Sequence, residues 1–295
     1  MNRVDPPRVL TDLHVHLRPD DRDARAAEHF SEANAERYRA AARARGIEEL
    51  GVSEHVYRFR DALTVWRHPL WESFAVDDLD EYCDFVRSRT DLRLGIEADF
   101  VPGGEDRLAS LLDARDFDYV VGSVHFLRDG AVDMDDYSVW GHRGERPPEE
   151  VWGAYFEAVA ASARSGLFDI VAHPDLVKYW GTPDRTPAGD LRRFYEPAVE
   201  AMLEADVAVE LSTAGLRKPV EELYPAPEFL ALCASARIPI ALSSDAHMPE
   251  HIGWGYERAL ALLRSLGVGE LATFERRRRS LVPIEARAAE DLAPR

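Results

Sequence analysis

The chain has 295 residues, 46% hydrophobic and 31% charged, with a mean hydropathy of -0.32 and a formal charge of -18. Such a composition fits a folded globular protein and argues against a disordered chain, and no apolar run approaches the roughly 20 residues of a membrane-spanning helix. A surface this acidic repels phosphate backbones, so neither nucleic acid nor a membrane is expected as partner; a small anion can bind where local arginines or metal ions reverse the field.

The opening "MNRVDPPRVL" lacks the apolar core of a secretion signal, and a cytoplasmic protein is expected. From there short β-rich runs alternate with longer helical ones. The runs lie at about 8–17, 49–55, 92–101, 118–127, 168–176, 206–215 and 238–247. Between them "AERYRAAARARG" and "EEVWGAYFEAVAASARSG" read as helices closed by Gly46 and Gly166, and "APEFLALCASARI" reads as another. No linker or break in composition divides them, so one domain is expected over 1–295, with a barrel at about 9–284 and a tail at 285–295. Cys83 and Cys233 fall in helical runs and offer neither a disulfide framework nor a thiolate cluster.

Strands alternating with helices imply parallel strands, either doubly wound or closed into a barrel. Each run starts apolar and ends polar: His14 and His16, His55, Glu97, His125, His173, Ser212, then Asp245 and His247. A barrel gathers all such ends on one face, whereas an open sheet gathers few. No glycine-rich turn follows the first run, which leaves no nucleotide-binding fingerprint.

Imidazoles and carboxylates without thiolates suit Zn, Mn or Fe. Residues two apart on a strand share a face, so His14 and His16 can grip one ion, and Asp245 and His247 repeat that spacing. Eight candidate ligands exceed the needs of a single ion, and Glu97, with two oxygens on a middle strand, suits a bridge. His29 and His68 read as structural, His142 and His251 as loop residues facing a substrate, and Arg276 to Arg279 as solvated surface.

The ordered series "DLHVH", "SEH", "GIEADF", "GSVHFL", "AHPDL", "STAGLRKPVEELYP" and "SSDAH" resembles the PHP (polymerase and histidinol phosphatase) superfamily, in its histidinol-phosphatase branch, from about Val9 to Ile284. The resemblance implies a distorted (β/α)7 TIM-like barrel, the PHP fold, with two or three divalent ions (Zn, Fe or Mn) at the strand ends. It implies one ion on His14, His16, Glu97 and Asp245, and a second on Glu97, His125 and His173. A third would rest on His55 and His247, completed from the loop after the first strand. Many relatives have a histidine where this chain has Arg22, and Asp20, ahead of Asp21, is the expected substitute.

Arg217 and Lys218 in "STAGLRKP" resemble a phosphate-recognition loop, with Lys178, Arg58, Arg60 and His142 as further substrate contacts. Glu97, Asp245 and His247 are the expected catalytic residues. The implied reaction is hydrolysis of a small phosphorylated substrate, L-histidinol phosphate, by a metal-bridging hydroxide, with His142 or a second water protonating the leaving alcohol. Glu54 or the acids of 133–137 would meet the substrate's ammonium and imidazole. The competing expectations are another small phosphomonoester on the same scaffold and a metal-binding barrel without catalysis.

Overall fold

The computed structural model describes residues 10–128, 130–141 and 146–284. Seven parallel strands form one sheet: β1 (Leu10–Asp12), β2 (Ile47–Val52), β3 (Arg93–Asp99), β4 (Tyr119–Ser123), β7 (Ile170–Val171), β8 (Ala208–Ser212) and β9 (Ile240–Ser243), side by side in that order. A small antiparallel hairpin, β5 (Phe126–Leu127) and β6 (Gly130–Ala131), follows β4. A larger one, β10 (Glu270–Glu275) and β11 (Arg278–Pro283), ends the described chain.

The sheet curls until its edges meet just beyond β1 and β9, where Val15 bridges Ala246 in parallel and His16 N donates to Ala246 O at 2.7 Å. Asp12 clamps the same seam by accepting from Ser244 N at 2.9 Å and Ser244 Oγ at 2.5 Å. The result is the nearly closed α/β barrel that the alternating pattern implies. Among the described residues no helix is long and apolar enough to cross a membrane.

Helices cover the barrel because their apolar positions recur at helical spacing. The helix Glu32–Ala44 is capped by Ser31, whose side chain accepts from Asn34 N, and it buries Ala35, Tyr38, Arg39 and Ala42 on one stripe. Gly46 and Gly166 both carry positive φ after their helices, at 72° and 71°, as expected of helix-terminating glycines.

Inside the barrel, side chains change character along each strand. Leu13, Tyr119, Val121, Ile170, Ala172, Ala208 and Ala241 pack together, and Ala272 and Phe274 of β10 close the cluster from below. Gly51 and Gly95 face Tyr119, where a Cβ on either would run into its ring. Two residues further along come polar groups: Glu97 after Gly95, Ser123 after Val121, Glu210 after Ala208 and Ser243 after Ala241. The period of two thus carries apolar residues to the floor and polar ones to the rim.

Two expectations are corrected. The strands stop short of the histidines, β1 at Asp12, β2 at Val52, β4 at Ser123, β7 at Val171 and β9 at Ser243, and His173 and Asp245 have φ of 22° and 49°, outside the extended region. The run Arg276 to Arg279 is not merely solvated: it turns the last hairpin, and its arginines pair with Asp116, Asp169 and Asp206.

Asp118 ties that hairpin to the barrel. Its carboxylate accepts from Arg87 Nη1 at 2.7 Å, Leu94 N at 2.9 Å and Arg276 N at 3.1 Å, while its carbonyl accepts from Arg277 N at 2.8 Å. Burial opposes its ionisation, but the bonds from Arg87, Leu94 and Arg276 outweigh it and hold the carboxyl below the usual 3.8. Asp118→Asn should lower stability by about 1–3 kcal/mol at neutral pH in a urea titration. A depressed folded pKa gives stability that is complete above the unfolded pKa and lost as pH falls through the folded one, so the two proteins should converge below pH 3.8.

Candidate metal centre

Glu97 lies at the centre of the rim, 1% exposed, on β3. Its Oε2 is 3.3 Å from His14 Nε2, 3.6 Å from His16 Nε2 and 2.5 Å from His55 Nδ1. Its Oε1 faces another set, 3.4 Å from His125 Nε2 and 3.2 Å from His173 Nε2, and accepts from Ser123 Oγ at 2.5 Å. Asp245 Oδ1 stands 3.8 Å from His14 Nε2, 3.4 Å from His16 Nε2 and 3.6 Å from His247 Nδ1. His16 stacks between His55 and His247, at centroid distances of 4.2 and 4.1 Å.

These residues fit divalent ions by three observations. Among the described residues, buried His14 Nε2, His16 Nδ1 and Nε2, His247 Nε2 and Glu97 Oε2 have no hydrogen-bond partner. Donors about 2.1 Å from a shared ion sit roughly 3.0–3.4 Å apart at ordinary coordination angles, close to most of the gaps around Glu97. The ligand atoms also fall into compact groups: His14, His16 and Glu97; Glu97, His125 and His173; His16, His55 and His247.

The electrostatics favour cations too. Burial resists ionisation of Glu97, yet His55, His14 and His125 overcome it and hold the carboxyl well below its usual value. Burial works against a charged His125, yet Asp99 and Glu97 draw its pKa up to about 10. Carboxylates that draw protons onto His14 and His125 would likewise attract metal cations, whereas burial keeps His16 and His247 neutral, the form that ligates.

Three acids that the strand-end pattern does not reveal organise this cluster. Glu210 Oε1 accepts from His14 Nδ1 at 2.7 Å and Ser243 Oγ at 2.5 Å, and its Oε2 accepts from His173 N at 2.5 Å. Asp99 accepts from His125 Nδ1 at 2.8 Å. Both carboxylates thereby fix the tautomer that turns Nε2 toward Glu97. Asp12 is the third, at the seam. Ser212, the expected polar end of its strand, instead holds its own turn by accepting from Ala214 N at 3.2 Å; the inward residue is Glu210, one strand period earlier.

In the first loop Asp20 and Asp21 meet different partners. Asp20, its side chain 47% exposed, accepts from Arg58 at 3.0 Å, and the charges around it lower its pKa. Asp21 turns away to accept from Asp23 N at 2.9 Å.

Arg217 lies beside the centre, bonded to the segment that carries Asp245. One guanidinium nitrogen donates to Ser244 O at 2.7 Å and Asp245 O at 3.1 Å, while Nη1 is buried without a hydrogen-bond partner among the described residues. Lys218 stands at the same rim, its ammonium 5.9 Å from the Tyr179 ring centroid. His251 lies beside them, its pKa lowered by burial and by the charge of Arg217.

Other expected contacts are spent elsewhere. Arg58 is buried against Phe74 and donates to Pro19 O, Asp21 O and Asp20, bracing the first loop. Arg60 is exposed and pairs with Asp78 at 3.2 Å. Lys178 is locked to Asp175 at 3.0 Å, Glu222 at 2.6 Å and Leu223 O at 2.8 Å. Glu54 is fully buried and bound to Arg18 at 2.8 Å and to Leu17 N at 2.7 Å, which removes it as a substrate contact. His68 caps the short helix Pro69–Phe74, accepting from Leu70 N. His142 lies outside the described residues.

Residues 25–214 match the PHP domain family. The chain belongs to that family. The PHP domain protein is 36% identical over 248 residues to the "Probable histidinol-phosphatase" of Deinococcus radiodurans, covering 82% of this chain and 90% of that one. It is 25% identical over 257 residues to the "Histidinol-phosphatase" of Bacillus subtilis, covering 79% and 94%. Its fold matches the crystal structure of histidinol phosphate phosphatase from Lactococcus lactis, complexed with zinc, L-histidinol and phosphate. That likeness has a TM-score of 0.68 at 18% identity and covers 92% of this PHP domain chain and 98% of the other.

Because Glu210 aims two histidines at once, Glu210→Gln should leave the protein folded but weaken metal retention by about 10–100-fold. Chelator competition followed by elemental analysis measures it; equal retention in both proteins would show that Glu210 does not tune the ligands.

Proposed function

We propose that this PHP domain protein is a histidinol-phosphatase, a metal-dependent hydrolase that converts L-histidinol phosphate and water to L-histidinol and phosphate. The observation that carries the reading is the pairing of two features at one rim. Glu97 offers its two oxygens to two separate sets of imidazoles, and the unpartnered Nη1 of Arg217 lies beside the same cluster. The names of the curated relatives and the zinc, histidinol and phosphate of the Lactococcus structure support it.

In this reading His14, His16, Glu97 and Asp245 hold one ion, and Glu97, His125 and His173 a second. His55 and His247, with Asp20, hold a third. Zn, Fe and Mn all suit these donors. Bound divalent ions supply an acidified water and neutralise charge on the phosphoryl group.

The chain's own residues do the rest. Glu97 keeps the two ligand sets at fixed separation. Asp245 Oδ1, between His16 and His247, would orient the attacking water by accepting a hydrogen bond from it. His247 Nδ1 lies 3.3 Å from the Asp245 carbonyl oxygen, which keeps the two residues together. Arg217, anchored through two carbonyls, presents Nη1 to a phosphate oxygen, and Lys218 adds a second positive charge at the mouth. The water oxygen bonds to phosphorus as the ester bond breaks, and the proton given up by that water is returned through solvent to the leaving alkoxide, which departs as the alcohol.

Purified protein should hydrolyse L-histidinol phosphate, lose the activity on exhaustive chelation and regain it with Zn or Mn. Turnover of other phosphomonoesters with none of histidinol phosphate would defeat the substrate assignment, and metal loading without any phosphoester turnover would defeat catalysis. Arg217→Ala should lower kcat/KM by about 10²–10³-fold, as loss of one preorganised cationic donor does. Arg60→Ala should leave it within twofold, about the scatter expected of a distant surface change.

A further inference from the structure

Beyond the hairpin of β5 and β6 the chain passes the metal centre through Val132 and Asp133. Val132 is held from three sides: its N donates to His125 O at 2.9 Å, and its carbonyl accepts from Trp140 Nε1 at 3.1 Å and Trp180 Nε1 at 3.0 Å. Trp180 is covered in turn by the Arg185 guanidinium, 4.3 Å from its ring centroid. Two indoles on one carbonyl are a costly device for an ordinary loop, and they fix the direction of the next side chain.

That side chain is Asp133, whose Oδ1 is buried without a hydrogen-bond partner among the described residues. Burial raises its pKa against the opposing pull of His125, Lys218 and His173, which surround it. Its neighbours Asp135 and Asp136 are exposed. An unsatisfied buried carboxylate is costly, and beside a phosphate site it also repels the substrate's own charge. Both costs are removed if the substrate brings a cation.

We propose that Asp133 is the specificity-determining residue of this site, accepting a charged hydrogen bond from the ammonium of an amino-alcohol phosphate. The proposal rests on the phosphatase reading and adds the reason one monoester is preferred to another. A carboxylate in this position selects against phosphates of neutral alcohols as well as for amino ones.

The test compares L-histidinol phosphate with its deamino analogue, which keeps imidazole and phosphate but lacks the ammonium. The wild type should favour the amino substrate at least about tenfold in kcat/KM, as desolvated charge pairs do. In Asp133→Asn the amino substrate should lose at least about tenfold, chiefly through KM, with the analogue changed less than about threefold. Asp133→Glu should restore part of the preference. Equal wild-type rates on both compounds, or equal losses on both in Asp133→Asn, would overturn the proposal. The wild-type comparison decides even if Asp133→Asn fails to fold, and a wild type that hydrolyses neither compound would point instead to failure of the phosphatase reading.

Discussion

The structure depends on one buried carboxylate. Glu97 is sealed from solvent above the apolar floor of the barrel, where an isolated negative charge is strongly unfavourable. It is tolerated because its two oxygens meet different imidazoles, and those imidazoles are spread over four segments of the chain. His14, His55, His125 and His173 follow β1, β2, β4 and β7, so the barrel must form before Glu97 is satisfied. Fold and site are therefore coupled: closure of the sheet gathers the histidines, and the cations they would hold compensate the charges that closure buries.

Around this centre the protein stores strain and restrains it. His173 and Asp245 sit at positive φ, which is unusual for residues with side chains. Each is pinned by a charged group: Glu210 accepts from His173 N, and Arg217 donates to Asp245 O. Glu210 thus holds one ring by its Nδ1 and another by its amide, and Arg217 anchors the loop whose carboxylate lies next to its free nitrogen. The same two residues that shape the ligand cage also connect it to the place where a phosphate would sit.

Much of this was legible in the sequence because barrels impose a simple rule. Apolar residues first and polar residues last, repeated over seven runs, can satisfy a parallel closed sheet and few other folds. What escaped the reading did so for definite reasons. Glu210 stands inside an apolar strand, one period before the apparent polar end at Ser212, so its inward direction depends on a register that the sequence does not display. Arg58, Arg60, Lys178 and Glu54 follow or belong to the motifs, but nearness in sequence says nothing of direction. Their partners at Asp20, Asp78, Glu222 and Arg18 emerge only when the loops are folded.

These pairings also explain how an acidic protein can attract an anion. The formal charge of -18 sets an unfavourable long-range field for a phosphate. Arg58 and Lys178 near the motifs are neutralised by carboxylates, which leaves Arg217 and Lys218 as cations at the rim without an ion pair among the described residues. Two positive charges do not offset Glu97, Asp245, Glu210 and Asp99 clustered beneath them. Divalent ions in the cage would turn the field at the mouth toward positive, so on the proposed reading metal loading would favour phosphate binding as well as the chemical step.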